Sequence, residues 1–361
     1  MSDQDLSSTG ASSPGPPTTT QTSVTADEAA RVEDKAAGGR QRGLHGPTAR
    51  NLGLIIALVL LCAVGIITAG DRFASVNNLL TILRLASITG VLSIGMTFVI
   101  TGGGIDLSVG SVLGLASVWA TTLATQTMAA DFHWIVMVGC ALLVGLAAGV
   151  VNGVIIAYGR VVAFIATLAM MLAARGLAEI ISNRQTQRVR VQSFLDVFRD
   201  DWLGVPVLVW MFALVAVAGW ILLNRTTFGR RTIAVGGNPE AARLAGIKVK
   251  RHTMYLYALA GLAAGIGAVM MLGRTTAGTS TNGMLYELDA IAAVVVGGTL
   301  LAGGRGTIVG TVLGALIFTT LTNVFTQNNL DISAQAIAKG VIIVGAVLLQ
   351  QRFADRSRAS G

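Results

Sequence analysis

Residues 236–251 read GGNPEAARLAGIKVKR. The stretch is polar, it carries Arg243, Lys248, Lys250 and Arg251, and it contains a Glu-Ala-Ala followed by a Gly. It separates two long apolar runs, one ending near residue 223 and one resuming near 253. Apolar runs of 18 or more residues read as membrane spans, because about 20 residues at 1.5 Å each cross the hydrocarbon layer. Backbone groups in lipid must be satisfied internally, so such runs are helices. The roughly 10-residue alternating segments of a membrane β-barrel do not occur. The fold class is therefore all-α: a polytopic membrane protein in which residues 236–251 form a short polar piece outside the bilayer.

Composition agrees. Of 361 residues, 53% are hydrophobic and 12% charged, against about 25% charged in a soluble domain. Mean hydropathy is +0.69. The formal net charge is +8. The basic residues sit beside the apolar runs, which the positive-inside rule accounts for, so nucleic acid is not an expected partner. Cys62 and Cys140 fall in apolar runs and read as packing residues. His45, His133 and His252 are isolated and give no metal-ligand spacing. No cofactor, metal site or catalytic residue is expected.

Residues 1–50 are rich in Ser, Thr, Pro and Gly and read as a disordered cytoplasmic tail. The transmembrane domain runs over 51–350, and 351–361 form a cytoplasmic C-terminal tail. About ten spans are predicted: 51–69, 79–101, 108–128, 134–157, 162–182, 206–223, 253–272, 288–301, 307–326 and 333–349. The eighth is short and interrupted by glycine. With both termini cytoplasmic, that side holds 17 of the 26 basic residues, including the seven from Arg225 to Arg251. Loop 183–205 is then external despite its four arginines, and 224–252 is internal.

Glycine is abundant, at 44 residues, and patterned. Gly145, Gly149 and Gly153 recur every four residues, as do Gly306, Gly310 and Gly314. That spacing marks one helix face on which another backbone packs closely. An internal likeness joins Val109–Gly114, VGSVLG, to Val309–Gly314, VGTVLG, each behind a glycine-rich break. Repeated, glycine-interrupted spans point to a transporter built from duplicated halves. A chance match in a chain rich in Gly, Val and Leu is the competing explanation.

Gly104–Ser111 reads GIDLSVGS. Asp106 lies between two spans, where it or Ser108 is expected to cap the next helix by accepting from its free N–H groups. A gating or inter-subunit contact is the sharper alternative. Arg175 and Glu179 are four apart within one span and are expected to pair. Lys339 also falls in a span. The shortage of intramembrane carboxylates argues against proton coupling. The ATP-binding pattern G-x-x-x-x-G-K-[ST] is absent, so phosphate-driven work must come from another polypeptide.

Four stretches carry a family likeness: GMTFVITGGGIDLSVGS at 95–111, GRVVAFIATLAMMLAARG at 159–176, GRRTIAVGGNPEAARLAGIKV at 229–249 and YELDAIAAVVVGGTLLAGGRGTIVGTVLGALI at 286–317. On them the chain resembles the permease subunit of ABC importers for pentoses, most closely the ribose type, over about 51–350. The resemblance implies a homodimer in the bacterial plasma membrane, a cytoplasmic ATPase subunit and an extracytoplasmic sugar-binding protein that delivers a monosaccharide. It places the ATPase-coupling loop on Asn238, Pro239, Glu240, Ala241, Ala242, Arg243, Leu244, Ala245, Gly246 and Ile247. It makes Gly104, Ile105, Asp106, Leu107, Ser108, Gly110 and Ser111 a family motif. The 50-residue tail has no counterpart in the family pattern. Two alternatives remain: an ion-coupled secondary transporter working alone, and an ABC permease of like architecture for branched-chain amino acids.

Overall fold

The computed structural model describes residues 47–331, 333–342, 344 and 345. The expected tail before residue 47, the end of the tenth span and the segment 351–361 lie outside the described residues.

Seven described helices are long and apolar enough to cross a membrane. They are α1 (Pro47–Ala69), α3 (Val76–Thr101), α6 (Ile135–Ala157), α7 (Ala163–Ser182), α9 (Val207–Asn224), α12 (Val249–Thr275) and α14 (Ile308–Gln327). Shorter helices lie between them: α2 (Asp71–Ala74), α4 (Val109–Ala120), α5 (Leu123–Asp131), α8 (Gln192–Phe198), α10 (Thr227–Gly237), α11 (Pro239–Leu244) and α13 (Tyr286–Val296). Residues 333–342 are helical as well. α1 begins at Pro47, inside the stretch expected to be disordered, and a proline suits the first turn because its missing N–H has no intrahelical partner there.

Two expected spans are not continuous. The stretch 108–128 is α4 followed by α5. The Thr121 hydroxyl turns back onto the Ser117 and Val118 carbonyls, and Thr122 caps α5 by accepting from the Thr125 N–H. The stretch 288–301 contains only the 11-residue α13, about 16 Å long at 1.5 Å per residue. It stops at Gly297, and Gly298 with φ +87 takes the chain out of helix. Hydropathy counts apolar side chains and is blind to such interruptions.

The core is built around α12 and α3. Of the apolar window of α12, 83% is buried, against 17% for α1, which leaves α1 at the periphery. α12 packs most extensively on α6. A Cβ built at Gly145, Gly149 or Gly153 would fall within 3 Å of the α12 backbone, at Gly261 and Gly265, at Tyr257 and at Met254 respectively. The second glycine set does not share one face of one helix. Gly310 and Gly314 lie on α14 against Gly297 and Ala293, whereas Gly306 precedes the helix and abuts the Thr101 side chain.

Two small ribbons close one end of the bundle. β1 (Gln187–Arg188) pairs antiparallel with β4 (Ala277–Gly278), and β2 (Asp201–Trp202) with β3 (Val205–Pro206). Leu203 and Gly204 both have positive φ, as a two-residue hairpin turn requires. Gln126 holds β1 in place, donating to the Arg188 carbonyl at 3.1 Å and accepting from the Arg190 N–H at 2.7 Å. At the opposite end, the two glycine-rich breaks meet. Gly103 (φ +86) and Gly303 (φ +84) each stand six residues before the repeated hexapeptide, and the Gly304 N–H donates to the Thr101 carbonyl at 2.9 Å. The likeness stays local, since α3 has 26 residues and α13 has 11.

Candidate coupling loop and buried polar clusters

Residues 238–247 form a compact, exposed element. The Asn238 side chain accepts from the Ala241 N–H at 3.0 Å, and Pro239 occupies the first turn. Both are standard for a helix start. Glu240 and Arg243 pair at 2.9 Å on the solvent side. The helix ends where the Gly246 N–H donates to Arg243 and the Ile247 N–H to Ala242, both at 3.0 Å. Gly246 has φ +83, the left-handed conformation such a stop needs. Nothing lies within 4 Å of a Cβ placed there. The glycine is therefore required by the backbone.

Only Ala242 of α11 is buried. Leu244 is 80% exposed, an apolar side chain on a polar helix with nothing of its own chain to cover it. α10 ties this element to the core. The Thr232 hydroxyl lies 2.9 Å from His252 Nε2 on α12. Gly236 packs so closely on the Thr101 carbonyl and Gly304 that a Cβ would have no room. α10, directly before α11, thus contacts α12, the end of α3 and the loop before α14.

Within GIDLSVGS the polar side chains point inward, while Gly104, Ile105 and Leu107 are half-buried. Asp106 and Ser108 are each 1% exposed. Asp106 Oδ1 accepts from the Ser108 N–H at 2.8 Å and from its hydroxyl at 2.6 Å. Ser108 Oγ accepts from Asn152 Nδ2 of α6 at 2.9 Å. Ser108 itself makes no side-chain cap to α4, so the capping expectation holds only for Asp106 and the Ser108 N–H. Burial pushes the Asp106 carboxyl above the usual carboxylate range, and the Ser108 hydrogen bonds oppose that shift. Gly104 touches Tyr257, Gly110 touches the Glu287 carboxylate, and Ser111 is buried in α4.

Arg175 does not pair with Glu179. Glu179 instead pairs with Arg184 at 3.1 Å. Arg175 donates through Nη1 to the Ser280 carbonyl and, at 3.0 Å, to the Asn282 carbonyl. Glu287, which the sequence reading did not single out, is buried one turn of α4 away, against Gly110. Its only sequence signal was its place in the YELD run that opens α13. Lys339 meets Asp289 at 3.0 Å.

A family profile described as branched-chain amino acid transport system, permease component, matches residues 78–349. The ribose import permease protein RbsC of Escherichia coli (strain K12) is 41% identical over 304 residues, covering 82% of this chain and 92% of that protein. The ribose import permease protein RbsC of Bacillus subtilis (strain 168) is 41% identical over 303 residues, 83% and 91% of the two chains. The chain belongs to the ribose- and pentose-type ABC importer permeases. The L-arabinose transport system permease protein AraH of E. coli (strain K12) is 37% identical over 306 residues, 82% and 89%. No solved structure matches the chain.

As an ABC importer permease, the protein is a multi-pass subunit of the plasma membrane and not an enzyme; ATP is hydrolysed by a separate subunit. An ATPase and a substrate-binding protein are the partners that membership in this family implies. The seven long apolar helices suit that role.

Proposed function

We propose that this permease carries a monosaccharide, ribose in the first instance, and that it receives the force of ATP hydrolysis through α11. The cytoplasmic ATPase grips residues 238–247. Two copies of the chain form the translocation path, and an extracytoplasmic sugar-binding protein loads it. Both termini, with 224–252, face the cytoplasm. Ribose is favoured over arabinose by the higher identity to the ribose permeases, 41% against 37%.

The observation that carries the coupling proposal is the exposure of α11 together with the tight seating of α10 behind it. A solvated connection tolerates change. A lever needs a stiff root and a free tip, and Gly236 against Thr101 supplies the first while Leu244 marks the second. In the assembled transporter, Glu240→Lys reverses the exposed charge, and Gly246→Arg places a bulky side chain on a left-handed backbone. Each should abolish labelled-ribose uptake and reduce co-purification of the ATPase, with the permease still in the membrane. Gly246→Ala keeps the bulk small at a cost of about 1 kcal/mol and should retain uptake. Normal uptake and normal ATPase recovery in both Glu240→Lys and Gly246→Arg would remove α11 from the mechanism.

A further inference from the structure

Between α12 and α13 the chain runs without helix from Ala277 to Leu285, apart from the two residues of β4. This segment does not stay at the end of the bundle. It lies along α4: Gly278 touches Thr121, Asn282 lies against Gly114, and Gly283 packs on Gly110. It therefore follows α4 for nearly its whole length, and Glu287 at the start of α13 reaches the first turn of α4. Non-helical backbone at membrane depth is tolerated only where its polar groups are satisfied by protein or face water.

Arg175 supplies that satisfaction. It stands near the middle of α7, a helix that is otherwise apolar in this region, and an ionised side chain there is costly unless partnered. Its guanidinium reaches across α4, where Gly114 leaves it space, and binds two carbonyls of the segment, those of Ser280 and Asn282. The Asn282 side chain donates to the Ser117 hydroxyl at 3.1 Å and to the Ala277 carbonyl at 3.0 Å. Glu287 is 8% exposed, and its carboxyl lies against Gly110, one turn of α4 from Gly114, where the Arg175 guanidinium lies. Among the described residues, Glu287 Oε2 has no hydrogen-bond partner. Both hydrogen bonds come from the one nitrogen Nη1, which the planar, rigid guanidinium holds between the two backbone oxygens.

We infer that Arg175 is a positioning residue for transport: its guanidinium, through Nη1, clasps the unwound segment 279–285 to α7 across α4, with the Glu287 carboxyl one turn of α4 away, and so sets the placement of α13 relative to the spans on the other side of α4. One face of the segment stays open, since Thr281, Met284 and Leu285 are exposed. A clasped, half-open, non-helical segment moves at a lower cost than a packed helix when the surrounding helices shift. The inference uses the importer assignment and is independent of which sugar is carried and of the role of α11.

The test uses the complete transporter with permease, ATPase and sugar-binding protein. Arg175→Lys keeps the charge near Glu287 and loses the rigid guanidinium that places Nη1 between the two carbonyls. Arg175→Met with Glu287→Gln removes both charges together, which avoids stranding a buried carboxylate. Uptake should fall roughly tenfold in each, with membrane levels near the parent's and basal ATPase activity retained. The loss should lie in maximal rate and not in the concentration of loaded binding protein needed for half-rate. A cysteine at Thr281, in a background lacking Cys62 and Cys140, should react with a soluble thiol reagent about fivefold faster in Arg175→Lys than with Arg175 present. Parent-like uptake in the double variant would reduce the pair to charge compensation and overturn the inference. An unchanged Thr281→Cys labelling rate would do the same. Failure of both variants to accumulate would also overturn it, because Arg175 would then serve assembly of the fold and not placement of the segment.

Discussion

Gly149 shows what a single position decides in this protein. A Cβ there would meet the Tyr257, Ala258 and Gly261 backbone of α12, at atoms that cannot rotate away. Gly149→Leu forces two central helices apart and should cost roughly 3 kcal/mol, lowering the membrane level severalfold. Immunoblotting of membranes reads the outcome, and parent-like accumulation with parent-like uptake would mean that α6 and α12 do not meet at this face. The four-residue spacing made the first glycine set legible, because helical period converts sequence spacing directly into a face. Gly246 was legible only as a small residue; its need for positive φ depends on the helix stopping after Leu244, which spacing does not reveal. Arg175 was visible, but its partners lie 105 and 107 positions away as backbone carbonyls that no sequence pattern advertises.

At the level of elements, the spans with steady hydropathy were found within a few residues. The two that fail, 108–128 and 288–301, are those in which hydroxyls or glycines break the backbone inside an apolar composition. Sidedness follows from which ends meet. β1 and β4 pair, and Arg84 near the start of α3 binds Asp201 at 2.8 Å, so 84, 187–188, 201 and 277–278 share one end of the bundle. Thr101, Gly103, Gly236 and Gly303 share the other. Alternating crossings give the same grouping, and the count of basic residues is the ground for proposing that the second end faces the cytoplasm. A membrane-impermeant thiol reagent on intact cells should therefore label a cysteine at exposed Thr186 and leave one at Asn238 unlabelled, with Asn238 labelled only after permeabilisation. The reverse pattern would invert the molecule in the membrane.

The described residues form a bundle in which a small exposed arm is rooted in α12 and α3, the two most buried of the long helices. α10 is fastened to α12 through Thr232 and His252, and to the end of α3 through Gly236. The same junction takes in the loop before α14. In the proposed mechanism, a push at α11 reaches both glycine-rich breaks at once. The most direct measurement is sugar uptake by proteoliposomes holding the permease and its ATPase, with ribose-loaded binding protein outside and ATP trapped inside. Ribose should accumulate against its gradient only with ATP present, and replacing Glu240 with Lys should end accumulation. Equal uptake without ATP, abolished by collapsing an ion gradient, would contradict the account.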